Sequence, residues 1–497
     1  MSKFKRLLSV ICAAALLFGM LSTAVFAAGG VDYTIINPYD DVDWSWKQYK
    51  TDLHSHTSAS DGNNTLKEML EKQYSYGFDI VAVSDHGTTS YSWTEVDVVP
   101  ALKVLCSVRR PGPVEALNAD GGFAENGLRY ELRKASDTEY YYQINSNGTK
   151  GHEMMRVPYA IENNPTSLNN AHVNSWFVDY GNGLFGGTSD YETPISAVDE
   201  LGGLSVINHP GEYTNARDES ETADAYDYSN VHYKYVIDKF TSLLTKYPSC
   251  IGIDINSKGD SRTRYDRKLW DILLMNVVPT GRNVFAIGSS DAHSTGAVYT
   301  GYVAAVMPDE TVSSLKNCLA NGEFFACSKY VGNPEEITDI AAALKATGKK
   351  DAVALGEKLL DMQSENPKAK YEAAKDVDAP VVSSIDVNDN ADTITVNSNG
   401  LCVRWISDGK TIATGSKINL KEHSSEIGSY VRAEIFGEGG IVYTQAFMLE
   451  YSGAPAAEMK NFVDLWPLAS AVPDTIVRFV TALPIFDLIW GWIQKLQ

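Results

Sequence analysis

Cysteine is scarce in this chain: six residues in 497, none of them in a C-x-x-C pair. Thiolate zinc sites and dense disulfide frameworks are thereby excluded. Beyond the N-terminal segment, Cys106, Cys250, Cys318, Cys327 and Cys402 read as buried thiols acting as small hydrophobes, with a Cys318–Cys327 disulfide as the alternative. Basic residues are also the minority, 42 Lys and Arg against 63 Asp and Glu, for a formal net charge of −21. No net field draws in a polyanion, which argues against a nucleic-acid polymer as the main partner. A stretch that would cross a bilayer as one clean helix is missing too. The apolar run at 7–21 follows Lys3, Lys5 and Arg6 and precedes Val25-Phe26-Ala27, the small-x-small pattern of a cleaved secretory leader. Residues 1–27 are therefore expected to be a signal peptide, and the mature chain, near −24 without those three cations, to be secreted. The last stretch, 460–497, is aromatic and apolar but interrupted by Pro467, Pro473 and Pro484. It is expected to cover the body of the protein, with cell-surface or peripheral membrane association as the alternative.

What is present is an alternation of strand-like and helix-like segments over 48–330. Apolar β-type runs fall at 49–56, 79–84, 155–161, 172–178, 204–208, 251–256, 284–289 and 301–306. Helical patterns fall at 65–76, 194–201, 231–247, 265–278 and 311–321. Such alternation implies βαβ units, in a barrel or an open sheet. The polar, Gly- and Tyr-rich segment 88–153 breaks the rhythm and reads as an insertion above a barrel mouth. Residues 331–378 read as a helical linker, a hairpin turning near Gly348-Lys349-Lys350. Short alternating runs over 379–452 have the pattern of a small immunoglobulin-like β-sandwich, expected to fold as a separate unit. Gly181-Asn-Gly-Leu-Phe-Gly186 satisfies G-x-G-x-x-G, but the next helical pattern begins only near Pro194, so it reads as a turn.

Two cassettes place metal-type side chains two residues apart: Asp52-Leu53-His54-Ser55-His56, and Ser290-Asp291-Ala292-His293. In an extended strand such pairs share a face, so each aims two ligands into one space. Two further strand-like runs end in Val83-Ser84-Asp85-His86 and Asn208-His209-Pro210. Polar clusters at strand ends mark the mouth of a barrel, where chemistry gathers. Asp85 and His86 are neighbours and point to opposite faces of a regular strand; the imidazole is the better ligand, with Asp85 orienting a neighbouring group.

In this order, and with Thr57 and Ser60-Asp61-Gly62 after the first cassette, these motifs resemble the PHP (polymerase and histidinol phosphatase) phosphoesterases over 48–330. The resemblance implies a distorted (β/α)7 barrel with two or three divalent metals at its C-terminal face. It also implies a bridging glutamate between the second and third motifs, followed by a histidine; Glu162 and His172 fit that order. Glu153 is the competitor, although His152-Glu-Met-Met-Arg156 lacks the second histidine of an H-E-x-x-H helix. Carried over by position, His54, His56, Glu162 and Asp291 would hold one ion. Glu162, His172 and His209 would hold a second, and Asp61, His86 and His293 a third. Imidazole and carboxylate without thiolate suit zinc, manganese or iron(II). The implied reaction is attack of a metal-generated hydroxide on a phosphate monoester or diester of a small substrate. Lys258, Arg262 and Arg264 follow the run at 251–256 and could supplement the metals as catalytic cations, as could Arg217. Each is equally readable as a solvated surface charge. Two other functions compete: a surface-binding protein that uses the sandwich, and a non-phosphate metallohydrolase of amidohydrolase type. The latter usually needs a carboxylated lysine at a strand end, and no lysine is read at such a position.

Overall fold

A computed structural model of the chain describes residues 31–87, 93–94, 116–146, 149–163, 171–181, 191–214, 216, 225–458 and 462. The expected leader, the segment 463–497, Cys106, Arg217 and Gly183–Gly186 lie outside the described residues.

The chain opens with β1 (Thr34–Ile36) and β2 (Lys47–Asp52), then helix α1 (Leu66–Ser75) and β3 (Ile80–Val81). A reciprocal Thr65–Glu68 capping box starts α1, which buries Leu66, Met69, Leu70 and Gln73. An antiparallel meander follows, of β4 (Gly122–Phe123), β5 (Arg129–Lys134), β6 (Tyr140–Ser146) and β7 (Thr149–Lys150). It joins β8 (Met154–Arg156) through β6, and β8 in turn runs parallel to β3. The described part of 88–153 therefore extends one sheet sideways, joined to the edge of β8 through Tyr141 and Tyr142 of β6, where the sequence led to an insertion above a barrel mouth.

A second sheet holds β9 (Ile161–Asn163), β10 (Val173–Trp176), β11 (Leu204–Ile207), β12 (Cys250–Asn256) and β13 (Phe285–Gly288). β10 is antiparallel to both neighbours, whereas β11, β12 and β13 are parallel. Interleaved are α2 (Glu192–Leu201), the single turn α3 (Pro210–Tyr213), α4 (Val231–Lys246) and α5 (Asp266–Val277). The apolar stripes of α4 and α5, with Ile237, Phe240, Leu244, Leu269 and Leu273, share one core with Ile207, Ile253 and Ala286 of the sheet. The chain returns to the first sheet with β14 (Gly301–Met307), α6 (Val312–Asn321) and β15 (Phe324–Ser328), β14 lying between β2 and β15. No described helix is long and apolar enough to cross a membrane.

The two sheets enclose a core that includes Leu53, Ile80, Val157, Val206, Ile251, Ile287 and Val303. Their ladders do not close into the expected (β/α)7 barrel. Between β8 and β9 the chain passes through Val157-Pro158-Tyr159-Ala160, where Pro158 has no N–H to donate and Tyr159 sits at φ 54°. At the other seam β13 packs on β14 and β15 without pairing. The backbones approach so closely that a Cβ on Gly288 would lie 2.7 Å from Tyr302 O, and one on Gly301 2.4 Å from Ser289 O. The architecture is mixed α/β, its two open sheets sharing this core and meeting at one end through the parallel bridge of Ser55 with Ala292.

Past β16 (Tyr330–Val331), α7 (Pro334–Ala346) and α8 (Lys350–Glu365) form the expected helical hairpin, after which β17 (Tyr371–Glu372) pairs with β16. The remaining strands are β18 (Val382–Asn388), β19 (Thr393–Ser398), β20 (Cys402–Ser407), β21 (Lys410–Thr414), β22 (Lys417–Asn419), β23 (Tyr430–Gly437), β24 (Gly440–Tyr443) and β25 (Phe447–Glu450). They do not stand apart as a freestanding immunoglobulin-like sandwich. β24 pairs antiparallel with β15, so the first sheet continues through β24, β23, β20, β21 and β25, while β18, β19 and β22 form a three-stranded sheet of their own. The side chain of Gln445 bonds both N–H and C=O of Ala286 on β13. Arg432 of β23 grips Asp271 of α5 through two 2.7 Å bonds. Cys250, Cys318, Cys327 and Cys402 are free and buried.

Two outcomes follow from this packing. Calorimetry of the full chain should give one cooperative transition, and a fragment of residues 31–331 should give none, because its removal of β23 and β24 strips the edge of β15; two independent transitions would restore the separate sandwich. Glu310 supplies the second. Burial, reinforced by the Asp79 carboxylate, pushes its carboxyl up to about 8. The folded state then keeps a proton that the unfolded chain releases, so stability falls as pH rises from the ordinary glutamate range to about 8. Glu310→Gln should raise Tm above that window and leave it unchanged at pH 4, as read by thermal melts across pH.

Candidate metal centre

Every strand that leads toward the two cassettes delivers its polar residues to one end of the two sheets. His54 and His56 follow β2, His86 follows β3, Glu162 lies in β9, His172 immediately precedes the antiparallel β10, His209 follows β11, and Asp291 and His293 follow β13. The backbone turns sharply where it must. His209 and Asp291 sit at φ 23° and 44°, conformations an L residue adopts only when its surroundings enforce them. Gly62 explains how Asp61 comes close: a Cβ there would lie 2.7 Å from His56 O, so the loop can fold back onto His56 only with glycine.

The resulting cluster is compact. His54 Nε2 and His56 Nε2 are 3.0 Å apart. Glu162 Oε2 lies 3.2 and 3.1 Å from them, and Asp291 Oδ1 3.4 and 3.2 Å. The other oxygen of Glu162, Oε1, lies 2.8 Å from His172 Nδ1 and 2.9 Å from His209 Nε2, while His86 Nε2 is 3.4 Å from Oε2. Asp61 approaches His56 at 3.5 Å, His86 at 3.8 Å and His293 at 3.2 Å. All nine expected ligand residues thus meet in one space, but with different partners in detail. His209 groups with Glu212 and Asp291, His172 with His86 and Glu162, and His56 with Asp61 and His86.

These distances and charges fit divalent cations. Four ligands about 2.0–2.1 Å from a tetrahedral ion are about 3.3 Å from one another, close to the edges spanned by His54, His56, Glu162 and Asp291. Asp291 Oδ1 is buried and accepts no hydrogen bond among the described residues. Glu162 and Asp291 are both held well below the usual carboxylate range: burial alone would raise them, but the surrounding imidazoles, and Lys258 beside Asp291, prevail. Metal ligation takes imidazoles in their neutral form, and the four carboxylates Asp61, Glu162, Glu212 and Asp291 would then face two cations, Lys258 and Arg262. That deficit of positive charge in a buried space is what bound cations would offset.

A layer of hydrogen bonds fixes the ligands. Asp52 accepts from His54 N, Gln73 Nε2 and Ser290 Oγ, and so ties the two cassettes together; burial pushes its carboxyl up to about 6. Asp85 accepts from Thr57 N, Thr57 Oγ1 and Ser60 Oγ, beside His56, and pins the loop that carries Asp61. Lys258 Nζ lies 3.0 Å from Asp291 and 2.6 Å from Glu212, and Arg262 is 2.6 Å from Glu212. Arg264 is not gathered there: it is buried beside Gly332, on the side of Asp260 and Lys370. The competitor Glu153 is spent on Arg133 at the edge of the meander, through bonds of 2.7 and 2.5 Å.

Two neighbours of the cluster escape a reading by motif. Glu212 is a lone glutamate in sequence, brought in because Pro210 starts α3 and spaces it one turn after His209. Burial would raise its carboxyl, but His209 and Lys258 bring it down to about 2. Tyr213 stacks on His172 with ring centroids 4.4 Å apart. The pair His209–Glu212 at i,i+3 was the available signal.

No family model matches the chain, and no curated protein does. Among solved structures, the chain is similar to a two-domain protein from Bacteroides vulgatus containing a predicted PHP-like metal-dependent phosphoesterase, at 12% identity and TM-score 0.31, over 86% of this chain and 93% of that one. It is also similar to the lesion-specific endonuclease EndoQ of Pyrococcus furiosus, at 13% identity and TM-score 0.31, over 55% of this chain and 56% of the other. A third is an amidohydrolase from Chromobacterium violaceum, at 14% identity and TM-score 0.24, over 50% and 89%. Similarities of this size leave the assignment of function to the residues themselves.

Glu162 offers the sharpest test of the centre. Glu162→Gln keeps the shape and removes the charge between two groups of histidines; elemental analysis should show at least one ion lost, and kcat should fall more than about a hundredfold. Glu153→Gln should retain wild-type metal content and activity. The reverse pattern would move the carboxylate ligand to the meander.

Proposed function

We propose that this chain is an exported metal-dependent phosphoesterase of the PHP type, which hydrolyses a phosphate monoester or diester with two or three zinc, manganese or iron(II) ions. The observation that carries the proposal is Glu162, whose two oxygens face different sets of imidazoles, His54, His56 and His86 on one side and His172 and His209 on the other. A carboxylate so placed is suited to bridge two cations. His54, His56, Glu162 and Asp291 would hold one ion, Glu162 with His172 and His209 a second, and Asp61, His86 and His293 a third. When bound, such ions supply Lewis-acid charge for phosphoryl oxygens and lower the pKa of water.

The chain's own groups supply the rest. Lys258 and the half-exposed Arg262 lie at the rim and are suited to neutralise the phosphoryl oxygens of an incoming ester, releasing Glu212 and Asp291 in part as they turn to it. Asp85 and Asp52 position without touching substrate. Export rests on the residues at 1–27.

Lys258 bears on the amidohydrolase alternative. Lys258, expected as a rim cation, does reach the cluster just past β12, at a strand end where a carboxylated lysine was not expected, and its ammonium is engaged by two carboxylates, Glu212 and Asp291. That favours a cation over a carbamate ligand.

The protein supplied with manganese or zinc should hydrolyse an aryl phosphate ester or diester, lose turnover with a chelator and regain it on metal addition. Lys258→Met should lower kcat/KM by about tenfold to a hundredfold without loss of metal. Full activity in a preparation shown by elemental analysis to be free of metal would contradict the proposal, and turnover of amides or lactones alone would favour the alternative.

A further inference from the structure

The turn that carries Lys258 has an unusual backbone. Between β12 and α5, Lys258, Gly259, Asp260 and Arg262 take φ values of 50°, 58°, 58° and 71°. Glycine accepts this region freely, but three L side chains in one short turn persist only under constraint. The constraint is visible. Asp260 Oδ1 and Oδ2 accept from Arg267 NH1 and NH2 at 3.0 and 2.8 Å, the two-pronged geometry that fixes a carboxylate in orientation as well as place. Asn256 Nδ2 lies 3.3 Å from Oδ1, and Thr263 Oγ1 bonds Ser257 O at 2.8 Å. From outside, the exposed Lys370 bonds Gly259 O at 2.6 Å.

Arg267 is in turn held from the C-terminal side. Its Nε donates to Glu336 Oε2 of α7 at 2.7 Å. Glu336 Oε1 accepts from Tyr443 OH of β24 at 3.1 Å and lies 3.6 Å from Arg404 of β20, which pairs with Glu434 of β23. A buried run of alternating charge thus leads from the C-terminal strands to the turn. We propose that Asp260, clamped by Arg267, is the positioning residue that sets Lys258 and Arg262 over Asp291 and Glu212, and that the C-terminal sheet acts on the centre through this turn. The role assigned to Lys258 and Arg262 rests on the phosphoesterase reading; the clamping itself does not.

The experiment uses the full-length, metal-loaded protein and two variants, Asp260→Asn and Lys370→Met. The first reading is the rate at which an amine-selective reagent modifies Lys258, followed by peptide mass spectrometry. Asp260→Asn should speed it by about tenfold, the scale of one hydrogen bond between charged groups, and Lys370→Met by less. The second is inhibition by inorganic phosphate and KM for an aryl phosphate. Both constants should rise about tenfold in Asp260→Asn, with kcat within about threefold, and the increment should vanish when Lys258→Met is already present. Unchanged Lys258 reactivity in the folded variants overturns the proposal, as does an Asp260→Asn effect that persists in full beside Lys258→Met. If Asp260→Asn does not fold, Lys370→Met, which alters an exposed side chain, decides by the same labelling. Wild-type protein indifferent to phosphate would defeat the phosphoesterase reading, while the labelling rates would still decide the clamp.

Discussion

A carboxylate only 1% exposed, surrounded by five imidazoles, is the constraint on which the rest of this structure depends. Glu162 is almost wholly shielded from bulk solvent, and a buried anion is tolerated only with compensating charge. The elements around it are arranged to keep that many polar groups in place. Asp52 and Ser290 lock the two cassettes to each other, Asp85 pins the loop before α1, and the strained backbone at His209 and Asp291 turns both side chains inward. Such a concentration of ligand-type groups is costly to fold and has no packing value of its own. It is intelligible as a site that cations complete.

The C-terminal strands belong to the same argument. Had they formed a separate sandwich, β15 would present an unpaired edge beside the strand that meets β13, and Arg267 would lack its outer partner Glu336. Instead the sheet continues through β24, and Gln445, Arg432 and Arg404 reach back toward elements that frame the centre. Buried ion pairs of this kind contribute little net stability, because desolvation offsets most of their attraction. Their effect is geometric: each fixes one element against another at a defined distance.

Much of the centre was legible because ligand spacing is local. Two residues apart in an extended chain means one face, so His54 with His56 and Asp291 with His293 could be paired without knowing the fold. Glu162 and His172 came from the order of motifs, and their meeting at 2.8 Å across the β9–β10 pair agrees with that order. Glu212 was not legible, since it depends on the single irregular turn α3, and Lys258, expected as a rim cation, could not be told from a surface charge because the left-handed run after β12 that places it leaves no periodic trace. Arg264, six residues on from Lys258, was indistinguishable from it in sequence and points elsewhere. Strand alternation over 379–452 correctly indicated β-structure but could not name partners, and the pairing of Cys327 with Val442 joins residues 115 positions apart. The open sheets have a similar origin: Pro158 was visible, but its effect on closure depended on where β8 and β9 lay in space.

The most direct measurement is anomalous diffraction from a zinc-loaded crystal, recorded on both sides of the zinc absorption edge. The account predicts a peak about 2.0–2.2 Å from His54 Nε2, His56 Nε2, Glu162 Oε2 and Asp291 Oδ1, and a second on the Oε1 side of Glu162 toward His172 and His209. Peaks confined to surface carboxylates, with Glu162 bonded directly to protonated histidines, would contradict it.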